Sequence, residues 1–258
     1  MYLKTAAEID LIARGGAIIG ALFQQLSQRI QPGVTTLDLD RFCDDFIVSH
    51  EGATPAFKGL YGFPGAVCIS LNEEIVHGIP NARRGLRDGD IVSVDVGVRL
   101  DGWCSDSAWT FAVGEVDADT RTLLTVTEES LYAAIDAATA GNHIGDIGAA
   151  VVDRVAGTGL AIVRDLVGHA VGREVHEDPQ VPNIGRPGHG APLREGMVLA
   201  IEPMLSMGSD RIKTLSDRWT VITEDSARSA HFEHTVAITA EGPRILTGAP
   251  DTASAPAV

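Results

Sequence analysis

Basic residues, cysteine and long apolar runs are all scarce in this chain of 258 residues. Lysine and arginine number 20 against 35 aspartates and glutamates, so the formal net charge is −15. The absence of any basic run argues against tight electrostatic binding to nucleic acid or to an anionic membrane. No apolar run approaches the roughly 18 residues that a membrane-spanning helix needs, so a membrane span is not expected.

Cysteine is rare, and Cys43, Cys68 and Cys104 are widely spaced along the chain. An odd number of distant cysteines argues against a disulfide framework and against a Cys-x-x-Cys zinc site. The pattern favours a reducing compartment. The opening segment 1–10 contains neither a long apolar core nor a cleavage-site pattern, so a secretion signal is not expected. The composition therefore predicts a cytoplasmic protein.

Helical and strand-like patterns follow one another in the order helices, strands, helices, strands. A capping box at 5–8 starts the first helix, which is expected to end near Ile30. Further helices are expected over 35–52, 119–140 and 146–156. This order indicates an α+β fold with helices layered on a mainly antiparallel sheet. We expect one domain over residues 1–247, with 45% hydrophobic residues in the whole chain, followed by a disordered tail over 248–258.

The strongest local signal is a hairpin, because the apolar runs 91–98 and 103–111 flank Asp101-Gly102. Folding the chain there brings Asp95 and Asp106 close to opposite, within about one residue of register. Two facing carboxylates in an apolar hairpin are costly as bare charges, so either one is protonated or a cation lies between them. The alternative is that both lie on a solvated sheet face, with Asp106 capping a turn.

Three more polar residues occur within or at the end of apolar strands. His169 lies inside one strand, Glu202 ends another, and Glu233 interrupts a third. Taken alone, a histidine in such a strand is more often a buried core residue than a ligand, and a glutamate at a strand end is usually solvated. With the two hairpin aspartates they supply four carboxylates and one imidazole, which suits divalent Mn, Fe, Co or Zn. Four negative charges balance two dications, and two metals about 3.5–4 Å apart form a hydrolytic site.

The loop over residues 53–66 is rich in glycine and proline. It carries four apolar side chains, Phe57, Leu60, Tyr61 and Phe63. Such a loop is either tucked into the core or forms the wall of a pocket, and the residues alone leave both alternatives open.

Six motifs resemble those of type I methionine aminopeptidases and occur in the same order across residues 3–247. They are His77-Gly78-Ile79-Pro80, Asp95 with Asp106, Gly168-His169, His176-Glu177, Ile201-Glu202-Pro203-Met204 and Phe232-Glu233-His234-Thr235. The resemblance implies the pita-bread fold, a pseudo-two-fold α+β domain whose antiparallel sheet is covered by helices. It also implies removal of the initiator methionine from nascent polypeptides with a small second residue. The 31 positions between Glu202 and Glu233 leave no room for the helical insertion of type II enzymes, so the short bacterial form is expected.

The resemblance further implies a role for each ligand. Asp95 would bind one of two divalent ions through both oxygens, and Asp106 and Glu233 would bridge the pair. His169 and Glu202 would complete the coordination of the other ion. Glu202 would also take a proton from the attacking water and deliver it to the leaving amine. The donor set leaves the metal open among Co, Mn, Fe and Zn.

Two histidines outside the ligand set, His77 and His176, are implied to hydrogen-bond the scissile peptide, and His176 to stabilise the oxyanion. His231 shares a strand face with Glu233 by period-two alternation. It either supports the ligands from outside their coordination sphere or, as we expect, has no role. The positions that match a monovalent-cation loop of some relatives are Asn72, Glu74 and Ser229.

The resemblance also implies a pocket for the methionine side chain. Its expected lining residues are Phe57, Leu60, Phe63, Cys68, Val175 and Trp219. Aromatic residues are common in the family where this chain has Leu60 and Val175, so we expect a wider pocket here.

The implied partners are nascent N-termini at the ribosome, and the chain is expected to be a monomer. Its own start, Met1-Tyr2, has a large second residue and predicts that Met1 is kept. Two rival functions remain. An aminopeptidase P or prolidase shares the fold, but the extra N-terminal domain usual in those enzymes does not fit ahead of Asp95. A non-catalytic binding protein of the same fold typically lacks some ligands, whereas all five are present here.

Overall fold

The computed structural model describes residues 2–250 of the chain. Its helices are α1 (Ala6–Arg29), α2 (Thr36–Val48), α3 (Ala118–Ala137) and α4 (Ile144–Val155). Its strands are β1 (Ala53–Pro55), β2 (Cys68–Leu71), β3 (Glu74–Val76), β4 (Ile91–Leu100), β5 (Trp103–Ala112), β6 (Ala161–Ile162), β7 (Val167–Ala170), β8 (Glu177–Pro182), β9 (Val198–Ile201), β10 (Met204–Ser206), β11 (Ile212–Thr214), β12 (Val221–Thr223), β13 (Ser229–His231), β14 (His234–Thr239) and β15 (Gly242–Ile245). Across these described residues, no helix combines the length and apolarity needed to cross a membrane.

Local sequence accounts for where the first two helices begin. The Thr5 hydroxyl oxygen accepts a hydrogen bond from the Glu8 N–H, and the Glu8 carboxylate accepts one from the Thr5 N–H at 2.8 Å. Thr35 and Asp38 form the same capping box ahead of α2. These reciprocal bonds satisfy amides that a helix start leaves unpaired. All four predicted helices are confirmed, and their ends shift by up to four residues.

Helix α1 lies against the β4–β5 hairpin. Ser105 in β5 donates its hydroxyl to the Ile12 carbonyl oxygen at 2.6 Å. A Cβ at Gly16 would lie 2.1 Å from the carbonyl oxygen of Leu246, so only glycine permits the helix to approach that segment so closely. Helix α1 therefore holds the β4–β5 hairpin in place from one face.

The hairpin turns through two residues, as the sequence predicted. Leu100 pairs with Trp103, and the turn residues Asp101 and Gly102 have φ values of 51° and 77°. Positive φ at both central positions is typical of a type I′ turn, whose twist matches that of the flanking strands.

This turn fixes the register of the two aspartates and corrects the sequence-based expectation. Asp95 pairs with Ala108, and Asp106 pairs with Gly97, so the aspartates are two positions out of register. Because side chains alternate with a period of two, an offset of two still leaves both carboxylates on the same face. They are diagonal neighbours and not an opposite pair.

The strands form antiparallel sheets in both halves of the chain. In the first half, β4 pairs with β1 and β2 and also with β5. In the second half, five strands follow the order β15-β14-β9-β7-β8, and three more form the sheet β13-β10-β6. A further three-stranded sheet, β11-β12-β3, joins two strands of the second half to β3 of the first. Two helices accompany each half, so the predicted α+β class is confirmed.

His231 and Glu233 do not belong to one continuous strand, as the expected alternation assumed. Strand β13 ends at His231 and pairs with β10, whereas β14 begins at His234 and pairs with β9. Between them the Glu233 N–H donates to the Ala108 carbonyl oxygen of β5 at 2.9 Å. Glu233 therefore lies at a junction that faces the first half of the chain.

The segment that follows β15 packs against helix α1 for more residues than the sequence predicted. Gly248 lies against Gly20, whose added Cβ would be 2.9 Å from the Gly248 Cα, and Gln24 donates to the Ala249 carbonyl oxygen at 3.2 Å. The tail predicted to be disordered from residue 248 is therefore ordered at its first positions. Its remainder, 251–258, lies outside the described residues.

Candidate active site

One cavity of about 240 Å³ brings together all five residues predicted to bind metal. Asp95 and Asp106 come from the β4–β5 hairpin. His169 comes from β7, and Glu202 follows the last residue of β9. Glu233 reaches the cavity from the junction between β13 and β14. The expected convergence of both halves of the chain on one cavity is therefore observed.

Three carboxylate oxygens in this cavity are buried without a hydrogen-bond partner. They are Asp95 Oδ1, Asp106 Oδ1 and Glu233 Oε1. A buried oxygen left unsatisfied costs about 1–3 kcal/mol, so three such atoms in one cavity indicate a binding site for a cation. Asp106 is only 3% exposed, which excludes the alternative of a solvated sheet face for this residue.

The spacing of the ligand atoms fits a cation. One atom each from Asp106, His169 and Glu233 lie within 4.8 Å of one another. The Nε2 atom of His169 is 4.0 Å from Asp106 Oδ2 and 3.5 Å from Glu202 Oε1. Carboxylate oxygens with one imidazole nitrogen at this spacing are a donor set for a divalent transition metal or zinc.

His169 is oriented by its own strand. Its Nδ1 atom lies 3.2 Å from the Ala170 carbonyl oxygen, which can only accept a hydrogen bond. The Nδ1 nitrogen must therefore carry the proton, and Nε2 is left with a free lone pair aimed at the carboxylates. Burial also lowers the pKa of His169, which favours the neutral ring that a metal requires.

Burial changes the charge state of the carboxyl groups. It raises the pKa of Asp95 and of Glu202 to about 7 each. The pKa values of Asp106 and Glu233 lie well above their usual range, first because of burial and then because of repulsion between the carboxylates. Without a cation, this cluster retains protons near neutral pH, and a divalent ion would displace them.

Glu202 lies between two histidines. His169 Nε2 is 3.5 Å from Oε1, and His231 Nε2 is 3.3 Å from Oε2. The backbone of Glu202 is held by Asn183, whose side-chain amide donates to the Glu202 carbonyl oxygen at 3.0 Å. The sequence favoured no role for His231, with support of the ligands as the alternative, and the contact with Glu202 is the structural basis for that alternative. The available signal was its position two residues before Glu233.

His77 lies beside the carboxylates in a strained backbone conformation. Its φ is 60°, which is uncommon for a residue other than glycine. The next residue must be small, because a Cβ at Gly78 would lie 2.1 Å from the Ile69 carbonyl oxygen. Burial, with a smaller contribution from His231, lowers the pKa of His77 to about 4. The ring is therefore neutral near pH 7 and offers one N–H donor.

His176 lies at the mouth of the cavity on a turn fixed by its neighbour Glu177. The Glu177 carboxylate accepts the Arg173 N–H and the Lys4 ammonium, both at 2.8 Å. The His176 ring meets the His169 ring edge to face with centroids 4.4 Å apart. Desolvation of its inner side, and then the nearby His77, lower the pKa of His176.

The remaining wall of the cavity is largely apolar. Five of the six residues predicted to hold the methionine side chain line it: Phe57, Leu60, Phe63, Cys68 and Trp219. Val175 does not line it, although it is buried in the same apolar cluster as Phe57, Phe63 and Cys68. Residues that the sequence reasoning did not assign to the pocket also line it, namely Tyr61, Val76, Leu166 and Val167. The loop over 53–66 is therefore a pocket wall.

The three residues matched to a monovalent-cation loop have engaged side chains. Glu74 pairs with Arg84 and accepts the Leu71 N–H at 2.9 Å. The Asn72 amide oxygen accepts the Ile91 N–H at 3.1 Å, and the Ser229 hydroxyl donates to the Leu205 carbonyl oxygen at 2.9 Å. A cation here would need main-chain carbonyl oxygens, and the site stays a prediction.

The sequence profile of metallopeptidase family M24 matches residues 10–240. The chain belongs to metallopeptidase family M24. Among curated members, a methionine aminopeptidase of Clostridium perfringens is 52% identical over 247 residues, covering 96% of this chain and 98% of that protein. Methionine aminopeptidase 1 of Bacillus subtilis is 48% identical over 244 residues, covering 95% of this chain and 98% of that protein.

Solved structures of M24 peptidases have the same fold. The methionine aminopeptidase of Thermotoga maritima superposes with a TM-score of 0.94 at 43% identity, covering 96% of this chain and 99% of that one. The prolidase of Pyrococcus furiosus gives a TM-score of 0.76 at 23% identity, and only 65% of that chain is covered. The prolidase likeness shows the fold alone. The expected pita-bread fold and the resemblance to methionine aminopeptidases are confirmed.

Proposed function

We propose that this M24 peptidase hydrolyses the first peptide bond of polypeptides that begin with methionine and have a small second residue. The observation that carries the proposal is that the buried ligand cluster and a largely apolar wall line the same cavity. An unbranched thioether side chain adapts to irregular apolar pockets and makes favourable sulfur–aromatic contacts. Phe57, Phe63 and Trp219 supply aromatic rings for such contacts.

The residues present fit a pair of divalent cations. Asp95, Asp106 and Glu233 offer unsatisfied buried oxygens, and His169 and Glu202 complete the set. When bound, such cations supply Lewis acidity that makes water a nucleophile near neutral pH. Four carboxylates balance two dications, so we propose two ions per chain, with Co, Mn, Fe and Zn all compatible with the ligands.

Glu202 is suited to moving the proton of the hydrolysis. Its carboxylate lies among the ligands, with Oε1 3.5 Å from His169 Nε2, so it would be adjacent to the attacking water and able to accept and return a proton. We assign it the removal of a proton from the attacking water and its delivery to the leaving amine.

Two neutral histidines supply hydrogen bonds to the substrate. His77 and His176 both have lowered pKa values, so each presents an N–H near pH 7 without bringing a positive charge into the site. Because His176 lies at the mouth, its N–H is assigned to the scissile carbonyl oxygen and its developing charge. The Tyr61 ring stacks on His176 with centroids 6.2 Å apart, which restricts the space for the second residue.

A metal site at the carboxylate cluster would explain cleavage at chain ends only. A chain that continued past the pocket would meet the buried ligands Asp95 and Asp106. A free amine offers a lone pair that a bound cation would accept. An N-acetylated substrate has no such lone pair and adds bulk, so it should be rejected.

A direct assay compares Met-Ala-Ser, Leu-Ala-Ser, N-acetyl-Met-Ala-Ser and an Xaa-Pro dipeptide, using purified protein reconstituted with Mn²⁺ or Co²⁺. We expect rapid release of methionine from the first peptide only. Preferred cleavage of the Xaa-Pro dipeptide would instead identify a prolidase. Stoichiometric binding of Met-Ala-Ser without turnover by metal-loaded protein would identify a binding protein.

The wider setting follows from the same activity. We propose that the substrates are nascent N-termini emerging from the ribosome, and that the enzyme acts as a monomer in the cytoplasm. Sucrose-gradient sedimentation with ribosomes tests the ribosome association, and analytical ultracentrifugation tests the monomeric state. A stable dimer, or no ribosome association at low salt, would contradict the corresponding proposal.

A further inference from the structure

The ring of His231 is buried beside the active-site residue Glu202 and has no hydrogen-bond partner. The residue is 1% exposed, and neither Nδ1 nor Nε2 is satisfied. Leaving two buried ring nitrogens unpaired is costly, so the arrangement indicates a partner that engages only when the site is assembled. The nearest acidic atom is Glu202 Oε2, 3.3 Å from Nε2.

The backbone of His231 is fixed independently of its ring. The Thr110 hydroxyl accepts the His231 N–H at 2.9 Å and donates to the His231 carbonyl oxygen at 2.7 Å. Ser93 Oγ lies 2.8 Å from the same Thr110 oxygen, so this contact is tied into the hairpin. Across the sheet, His231 pairs with Met204, two residues after Glu202. The ring is therefore held against Glu202 by neighbouring strands.

The two oxygens of Glu202 face different histidines. Oε1 faces His169, which has its lone pair free for a metal, whereas Oε2 faces His231. An imidazole presents an N–H in either protonation state, so His231 can donate to Oε2 while Oε1 remains available as a ligand. Hydrogen bonds of this kind fix the orientation of a ligating carboxylate.

We infer that His231 is a positioning residue that holds Glu202 through a hydrogen bond to Oε2, so that Oε1 and His169 Nε2 are presented to the same cation. The inference rests on the proposed function only in taking Glu202 as a metal ligand. His231 makes no contact with substrate in this role. Its loss should therefore weaken metal binding and slow turnover without changing substrate affinity.

The test compares His231→Leu with His231→Gln in protein stripped of metal. Leucine removes the donor, whereas glutamine places an amide N–H close to the position of Nε2. Calorimetric titration with Mn²⁺ should show affinity about 10- to 100-fold weaker for the leucine variant. The glutamine variant should recover affinity to within a few-fold of the wild type. In Met-Ala-Ser assays at saturating metal, kcat should fall for H231L with KM unchanged.

One further measurement and one further variant distinguish a loss of folding from a loss of metal binding. Circular dichroism of the metal-free variants checks the fold, and His231→Asn, whose shorter amide cannot reach Oε2, replaces H231L if leucine prevents folding. Equal Mn²⁺ affinity in wild type and H231L, or no recovery in H231Q, would overturn the positioning role. Because Mn²⁺ affinity is measured without substrate, the failure of methionine release would reject the proposed function and leave this result unaffected.

Discussion

Asp106 and Thr235 exchange two hydrogen bonds where β5 meets β14. The Asp106 N–H donates to Thr235 Oγ1 at 3.0 Å, and the Thr235 hydroxyl donates to the Asp106 carbonyl oxygen at 2.7 Å. Both residues are buried. One threonine side chain thus joins the hairpin of the first half to the sheet of the second, directly behind a proposed bridging ligand.

Thr235→Val should destabilise the protein through this junction. Valine has nearly the same shape but leaves the backbone N–H and carbonyl of Asp106 without partners. We expect the free energy of unfolding, measured by urea denaturation, to fall by about 1–3 kcal/mol. Thr122→Val, at an exposed position in α3, is the matched control and should change it by less than about 0.5 kcal/mol. Equal stability of T235V and T122V would argue against the junction.

Asp106→Ala should abolish both metal pairing and turnover, because the proposed bridge serves both ions. Elemental analysis of anaerobically purified protein should show a clear loss of bound metal, and Met-Ala-Ser should not be cleaved. The control is Asp136→Ala, which removes an exposed carboxylate from α3 and should leave metal content and rate unchanged. A D106A variant with wild-type turnover would refute the bridging role.

Much of this site was predictable because its residues contradict their local surroundings. Asp95, His169 and Glu233 each interrupt an apolar pattern, and a polar group in such a place needs a partner. The start of α1 at Thr5 and the hairpin turn at Asp101-Gly102 were equally predictable, since capping and turn geometry depend on adjacent residues alone. In each case, the chemistry of a few neighbouring positions determines the structure.

The features that the sequence did not reveal depend on distant parts of the chain. The break between β13 and β14 exists because Glu233 bonds to Ala108 in the first half. The contact of His231 with Glu202 depends on the pairing of β13 with β10. Val175 packs in the apolar cluster with Phe57 but does not line the cavity. None of these is encoded in local periodicity.

The raised pKa of Glu202 predicts how its contribution to stability changes with pH in metal-free protein. Its pKa rises from 4.5 to about 7 on folding, so the folded state binds the proton more tightly than the unfolded state. Its contribution is therefore fully present below about pH 4.5 and is lost as the pH rises through about 7. Glu202→Gln should remove this dependence.

The measurement is the unfolding free energy of wild type minus that of E202Q, in EDTA, from pH 4 to 8. Ionised Glu202 also raises the pKa of Asp95, Asp106 and Glu233, and E202Q removes this repulsion, so it adds to the fall in the difference in the same direction. We expect the difference to fall with rising pH by up to about 3 kcal/mol, since one pKa unit corresponds to about 1.4 kcal/mol. With saturating Mn²⁺ the fall should disappear, because the cation replaces the proton. A difference that rises with pH in EDTA would contradict the raised pKa.

Gly97→Ala should narrow the side-chain pocket without touching a ligand. A Cβ at Gly97 would lie 2.5 Å from the Phe57 ring, so the ring must move, and Phe57 lines the cavity. Overpacking of this kind costs about 1–3 kcal/mol of stability. We expect KM for Met-Ala-Ser to rise about tenfold, which corresponds to about 1.4 kcal/mol of lost binding, with little change in kcat. Gly85→Ala is the control, because its nearest neighbouring atom is 3.9 Å away, and it should leave KM unchanged. If G97A and G85A have the same KM, Phe57 does not shape the part of the cavity that holds methionine.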